Sequence, residues 1–264
     1  MYALPCSPAR PTRSNRLRRC AWIVFLTLLA LGYGGAHAAT RELGFSRSVT
    51  NGLIEHLAAR FGEGTRRRIG NWQAFVRSIP AEEQIARELE RIRLVRAAAD
   101  AQRQRTGSDL ELLSTVNLFF NGVHYVTDLT QWGTNDYWAS PAEMLAANGA
   151  DCEDFSIAKY FALKELGVPI ERLRITYVKA VRLNQAHMVL AYYPAPEQEP
   201  LILDNLDNYV RPASERDDLV PVYSFNDDDV LLARPGRPDA RVGSSSQIRL
   251  WRGLLDKLEK ELLY

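Results

Sequence analysis

The chain has 264 residues, 46% of them hydrophobic and 25% charged, with 33 basic against 32 acidic side chains and a formal charge of +1. That length supports one substantial core or two closely packed lobes, and the near-neutral balance excludes a chain built to bind nucleic acid.

At the N-terminus Arg10, Arg13, Arg16, Arg18 and Arg19 precede an apolar run from Ala21 to Leu31, then Gly34, Gly35 and Ala36-His37-Ala38. This order predicts a cleavable secretory signal over residues 1–38 and export to the periplasm. The run is shorter than the roughly 20 residues that span a bilayer, so an uncleaved inner-membrane anchor is the second reading. Cys20 lies before the apolar run, against a lipoprotein cleavage site. Cleavage after Ala38 would remove five arginines and no acid, leaving 226 residues of net charge −4. It would also remove Cys6 and Cys20, so that Cys152 remains as a lone thiol in an oxidising compartment. A reactive role and a small buried hydrophobe are the two explanations for such a cysteine.

The remainder divides into residues 39–240, the main domain, and 241–264, a terminal helix packed on it or appended to it. Residues 81–105 read as an amphipathic helix, with Ile85, Leu89, Ile92 and Val95 three and four apart. Asp109 is placed to cap a second helix bearing Leu110, Leu113, Val116, Phe119 and Phe120. Asn148-Gly149-Ala150 signals a turn, Asp151 suits an N-cap, and Cys152 to Leu166 carries Phe155, Ala158, Ala162 and Leu166 on one face before Gly167 and Pro169. Three β-like runs follow, Leu173 to Leu183, His187 to Tyr193 and Leu201 to Leu206, and they predict an antiparallel sheet. From Ser244 to Tyr264, Ile248, Trp251, Leu254, Leu255, Leu258 and Leu262 form the stripe of a packed helix.

Chemistry concentrates around Cys152. A thiol attacks acyl carbon as its thiolate, which a helix N-terminus and a neighbouring imidazolium both favour. Of the histidines that survive cleavage, His56 and His124 fall in the helical half, whereas His187 begins a strand of the sheet region and suits a general base. Asp204, a carboxylate in the apolar run Leu201-Ile202-Leu203, needs a partner and could orient that histidine. A hairpin pairing Tyr193 with Leu201 would set Asp204 opposite Leu190, three residues from His187. Asp151, Glu153 and Asp154 oppose a thiolate at Cys152; they are either a solvated cap or the ligands of a hard cation such as calcium. Asn226-Asp227-Asp228-Asp229 lacks EF-hand spacing and reads as a solvated turn. The backbone N–H of Cys152 is a natural oxyanion donor, and Trp132 could supply its indole N–H or a wall of the cleft.

The segments DLTQWGTNDYWA at 128–139, Pro141-Ala142-Glu143, GADCEDFSIAKYFALKELGVP at 149–169, Ala186 to Leu190 and Leu203-Asp204-Asn205 resemble the bacterial transglutaminase-like cysteine proteinases. The resemblance runs from about Phe75 to Leu232. It implies an α+β, papain-like and transglutaminase-like fold, a helical lobe packed on an antiparallel sheet with the nucleophile starting the central helix. It carries nucleophile to Cys152, general base to His187, orienting acid to Asp204, and calcium to Asp151 and Glu153 with Asp154 and Asp136 as further ligands. It implies as substrate a large surface adhesin, cut near its N-terminus after a pair of alanines to disperse a biofilm. The implied regulator is a LapD-like inner-membrane receptor for cyclic di-GMP. Two other readings use the same residues: a transglutaminase or amidase acting on a side-chain or cell-wall amide, and a calcium-dependent binding module without catalysis.

Overall fold

Thr50 opens the first helix by accepting the Leu53 N–H on its hydroxyl at 3.1 Å, and the chain then folds as a helical lobe laid against a sheet. The computed structural model describes residues 49–78, 102–234, 237 and 239–263, all within one compact unit, Leu43–Tyr264. The expected signal segment, residues 1–38, and nearly all of the amphipathic stretch 81–105 lie outside the described residues.

Helix α1 (Asn51–Phe61) turns at Gly62, whose φ of 87° suits glycine, into α2 (Gly64–Ser78). They bury Leu53, Leu57, Ile69 and Trp72 against Leu113, Val116 and Phe120 of α3 (Gln102–Asn121). Asp109 does not cap α3. It lies within the helix, where its carboxylate accepts the Tyr192 hydroxyl at 2.6 Å and pairs with Arg172 at 3.5 Å, so tertiary partners replace the local capping role. Strand β1 (His124–Tyr125), α4 (Asp128–Trp132), α5 (Pro141–Ala147) and β2 (Gly149–Ala150) follow. Ser140 and Glu143 form a capping box at α5, and Asn148 ends it in the left-handed region, as the turn signal required.

The central helix α6 (Cys152–Glu165) follows Asp151 at the N-cap position. It is buried on all sides from Asp154 to Leu163 because α3 and α5 cover one flank and the sheet covers the other. The expected single apolar stripe is therefore a subset of its buried surface.

The sheet comprises β3 (Leu173–Ala180), β4 (Gln185–Tyr192), β5 (Leu201–Leu203), β6 (Arg211–Pro212), β7 (Leu219–Phe225), β8 (Asp229–Leu232) and β9 (Ala240–Ser244). Every pairing is antiparallel, in the order β6-β5-β4-β3-β7-β8-β9. Strand β3 ends at Ala180, earlier than expected, because Val181 to Asn184 form a turn with Asn184 at φ 50°. The β4–β5 hairpin pairs Tyr192 with Leu201 and Leu190 with Leu203, one residue away from the expected register. This sends Leu190 and Leu203 into the main core and Ala191 and Ile202 to the opposite face. Continued by one residue, it brings Asp204 opposite Val189, on the same alternation as His187.

Helix α7 (Arg249–Glu261) buries Trp251, Leu254 and Leu258 in the main core. Ser244 ends β9 and caps a 3₁₀ turn, so the helix starts later than the apolar pattern suggested. Lys257 ties it to the loop before α5, donating to the Trp138 carbonyl at 2.9 Å and to Glu143 at 2.8 Å. The acidic turn at 226–229 is more than a solvated loop: Asp227 accepts the Tyr160 hydroxyl at 2.8 Å and pairs with Lys164 at 2.5 Å. Among the described residues no helix is long and apolar enough to cross a membrane.

Candidate active site

Cys152 occupies the first turn of α6, where the unpaired N–H groups of the helix point. Its thiol and His187 line one cleft of about 440 Å³, together with Tyr125, Gln185, Ala186, Asn205 and Leu206. His187 is 3% exposed and sits in β4 opposite Val178. Its Nε2 lies 2.8 Å from Oδ1 of Asp204, which directly follows β5. The same Oδ1 accepts the Leu206 N–H at 3.0 Å, while Oδ2 accepts from Arg216 Nη2 at 2.7 Å. Burial pushes the Asp204 carboxyl up, but His187, the Leu206 N–H and Arg216 outweigh it and bring it down to about 2. Asp204 is thus an ionised acceptor, as an imidazole-orienting group must be.

The thiol itself is held in the opposite sense. Burial, then Glu153, whose carboxylate lies 3.1 Å from Sγ, then Asp151 push Cys152 well above the usual thiol range. The Met188 backbone works the other way without offsetting them. The helix terminus alone does not make this thiol acidic.

The carboxylates responsible form a cluster. Oxygens of Asp128, Asp151 and Glu153 lie within 4.8 Å of one another. The parallel β1–β2 pair, with Tyr125 opposite Ala150, brings the start of α4 beside the start of α6. The Asp128 N–H accordingly donates to Asp151 Oδ2 at 3.3 Å. Burial, with Glu153 and Asp136 nearby, raises Asp128 to about 6, although the Tyr137 N–H opposes the shift. Burial followed by Glu153, Asp154 and Asp128 raises Asp151 strongly. Oδ1 of Asp128 and Oδ1 of Asp151 are buried without a hydrogen-bond partner among the described residues. Converging, unsatisfied oxygens with mutually repelling charges are the donor set a hard cation takes.

Of the residues singled out in the sequence, Asp151 and Glu153 join this cluster. Asp154 is not one of the three clustered residues: its Oδ1 accepts the Ala139 N–H at 2.7 Å, while its Oδ2 is buried without a hydrogen-bond partner among the described residues, and burial, with Glu153 and Asp128 nearby, holds its carboxyl high. Asp136 feels the charge of Glu153 but is not one of the three clustered residues. Trp132 packs between Phe61 and Tyr137, with ring centroids 5.8 and 4.5 Å away, and is not among the residues lining the cleft. His56 and His124 are exposed and also stand outside it. Sequence reasoning missed Asp128, Arg216, Tyr125 and the loop residues Asn205 and Leu206. Asp128 opens a segment already noted for its resemblance, but its approach to Asp151 depends on pairing two dipeptides, which periodicity does not reveal. Arg216 lies in Ser-Glu-Arg-Asp-Asp, a run indistinguishable from a solvated loop.

A cysteine at the start of a buried helix, lining one cleft with the histidine of a His–Asp pair on an antiparallel sheet, fits the transglutaminase-like class of cysteine enzymes. The sequence profile of the bacterial transglutaminase-like cysteine proteinases (BTLCP) matches residues 89–218, and the chain belongs to that family. Among solved structures it is similar to Legionella pneumophila LapG. The EGTA-treated form is 38% identical with a TM-score of 0.59, the match covering 80% of this chain and 98% of that one. The calcium-bound form is 38% identical with a TM-score of 0.57, covering 80% and 99%. Comparison with the curated proteins returned no match.

Proposed function

We propose that the chain is a calcium-dependent cysteine endopeptidase in which Cys152, His187 and Asp204 act as nucleophile, general base and orienting acid. The observation that carries the reading is the buried His187–Asp204 pair at 2.8 Å on the cleft that Cys152 lines. Membership of a cysteine proteinase family supports it. In the reaction, Cys152 passes its proton to His187 as Sγ bonds to the scissile carbonyl carbon, and first-turn N–H donors receive the oxyanion. The C–N bond then breaks, the leaving amine takes the proton from His187, and a thioester remains. Water adds to the thioester, its proton moving through His187 to the departing sulfur, which releases the new carboxyl end and restores the thiol.

Asp128, Asp151 and Glu153 would hold the calcium, whose charge when bound offsets the carboxylates that keep the thiol protonated. Supporting this are the unsatisfied oxygens of the cluster and the calcium-bound form of the Legionella relative. The rest of the proposal follows the family resemblance: periplasmic location after removal of residues 1–38, release of a large surface adhesin by a cut after two alanines, and sequestration by a LapD-like receptor when cyclic di-GMP is high.

The test is incubation of the purified protein with N-terminal fragments of exported adhesins, in calcium or in EGTA, followed by mapping of new chain ends. One cut is expected in calcium, with little in EGTA and none for Cys152→Ala. Cleavage by Cys152→Ala would overturn the nucleophile assignment. Products heavier than the substrate would assign the chain to amide cross-linking.

A further inference from the structure

We propose that Arg216 is a positioning residue for catalysis, locking the Asp204 carboxylate so that a single oxygen is presented to His187. This rests on the Cys152–His187–Asp204 reading.

Arg216 sits on the strap between β6 and β7, just after the 3₁₀ turn Ala213–Glu215. The strap is tied at three points: the Arg216 N–H donates to the Ala213 carbonyl at 3.0 Å, the Leu219 N–H to the Arg216 carbonyl at 3.0 Å, and the Val181 N–H to the Asp218 carbonyl at 2.8 Å. Ala213 and Leu219 pack on Val178, Val189, Ala191 and Ile202, the small core on the second face of the sheet. A strap anchored in this way delivers a side chain to a fixed place.

The guanidinium is itself fixed. Nε donates to Asp218 Oδ1 at 2.9 Å and Nη2 to Asp218 Oδ2 at 3.0 Å, a bidentate pair that sets its plane. Nη2 also reaches Asp204 Oδ2 at 2.7 Å, and Arg216 is only 7% exposed. The charged or titratable groups acting on Asp204 include His187 from β4, Lys159 from α6 and Arg216 from the strap, with Asp218 behind the guanidinium.

A carboxylate can turn about its terminal torsion and offer either oxygen. Here Oδ1 serves His187 and the Leu206 N–H, Oδ2 serves Arg216, and the Asp204 carbonyl accepts from Asn121 Nδ2 at 2.9 Å. Without Arg216, Oδ2 loses the donor recorded for it in a buried site, and rotation would move Oδ1 off His187. A buried ion pair is weak evidence for stability by itself. One that leaves a single carboxylate oxygen facing a catalytic imidazole has a positional use.

The experiment uses the full mature chain in calcium, with Arg216→Gln, Arg216→Lys, Arg182→Gln and Cys152→Ala. Arg182 makes an exposed pair with Asp217 on the same strap, at 2.7 Å, and serves as the control. Rates are divided by the concentration of folded, titratable thiol, and for Cys152→Ala by that of folded protein, so that loss of folded protein does not count as loss of catalysis. Arg216→Gln is expected to lower kcat roughly ten- to a hundred-fold with KM within about twofold, the size of effect that small misplacements produce. The acid limb of its kcat/KM profile should move to higher pH, Arg216→Lys should recover part of kcat, and Arg182→Gln should match the parent. A parental kcat and pH profile in Arg216→Gln, with Cys152→Ala inactive, would overturn the positioning role and leave the catalytic reading standing. Cleavage by Cys152→Ala would instead remove the reading on which the proposal rests.

Discussion

Lys159 lies in the middle of α6 with no exposed surface, its ammonium lacking a hydrogen-bond partner among the described residues and resting 5.7 Å from the centre of the Phe155 ring. Burial lowers it to about 7, and Asp204 opposes that shift. An unfolded lysine titrates near 10.4, so between about 7 and 10 the unfolded chain binds more protons and stability rises with pH. Below about 7 both states are protonated, and the cost of the buried charge is fully present. Lys159→Met should therefore flatten the rise: urea midpoints measured between pH 7 and 9 should show the parent gaining on the variant, by at most about 1.4 kcal/mol per pH unit. Parallel profiles would show that the ammonium reaches water. Local sequence did not expose this lysine, because a charge on a helix is ordinarily solvated and α6 is covered on all sides only once the sheet is assembled.

Elements were legible in proportion to how local their causes are. The cap position and turn around Cys152, the three strand runs and the apolar stripe of the terminal helix all come from neighbouring residues, and the structure retains them. The register of β4 against β5 does not. It follows from which leucines enter the core, and that one-residue difference determines whether Asp204 shares the alternation of His187. The β1–β2 pair has two residues per strand, too few for any period, yet it assembles the acidic cluster. Helix α7 permits a direct test of element-scale packing, since Trp251 is fully buried and stacks on Phe161 at 5.6 Å. Trp251→Ala should cost about 3–5 kcal/mol in chemical denaturation. A loss under about 0.5 kcal/mol would mark α7 as an appendage to the domain, the surface-mutation range.

Across the molecule, the helical lobe supplies Cys152, the proposed nucleophile, and the acidic cluster, while the sheet supplies His187 and Asp204. The helical half and the antiparallel sheet were readable from the order of helices before strands, and the transglutaminase-like arrangement of the two came with the family resemblance. The full acidic cluster was not, since Asp128 and Asp151 are 23 residues apart and meet through tertiary contacts. Calcium bound to the native cluster should stabilise the whole chain by about 2.7 kcal/mol at a hundred times its dissociation constant. Melting in calcium and in EGTA should show this shift for the parent, and Asp128→Asn should diminish it. Equal melting temperatures in both conditions would exclude these residues as a calcium site. Activation of Cys152 as a nucleophile by His187, with calcium relieving it of its acidic neighbours, is open to test by intact-mass kinetics with a thiol-reactive peptidyl electrophile. Such activation predicts a single adduct on Cys152, formed fast in calcium and slowly in EGTA or in His187→Ala. Equal rates in all three conditions, or no adduct in calcium, would contradict it.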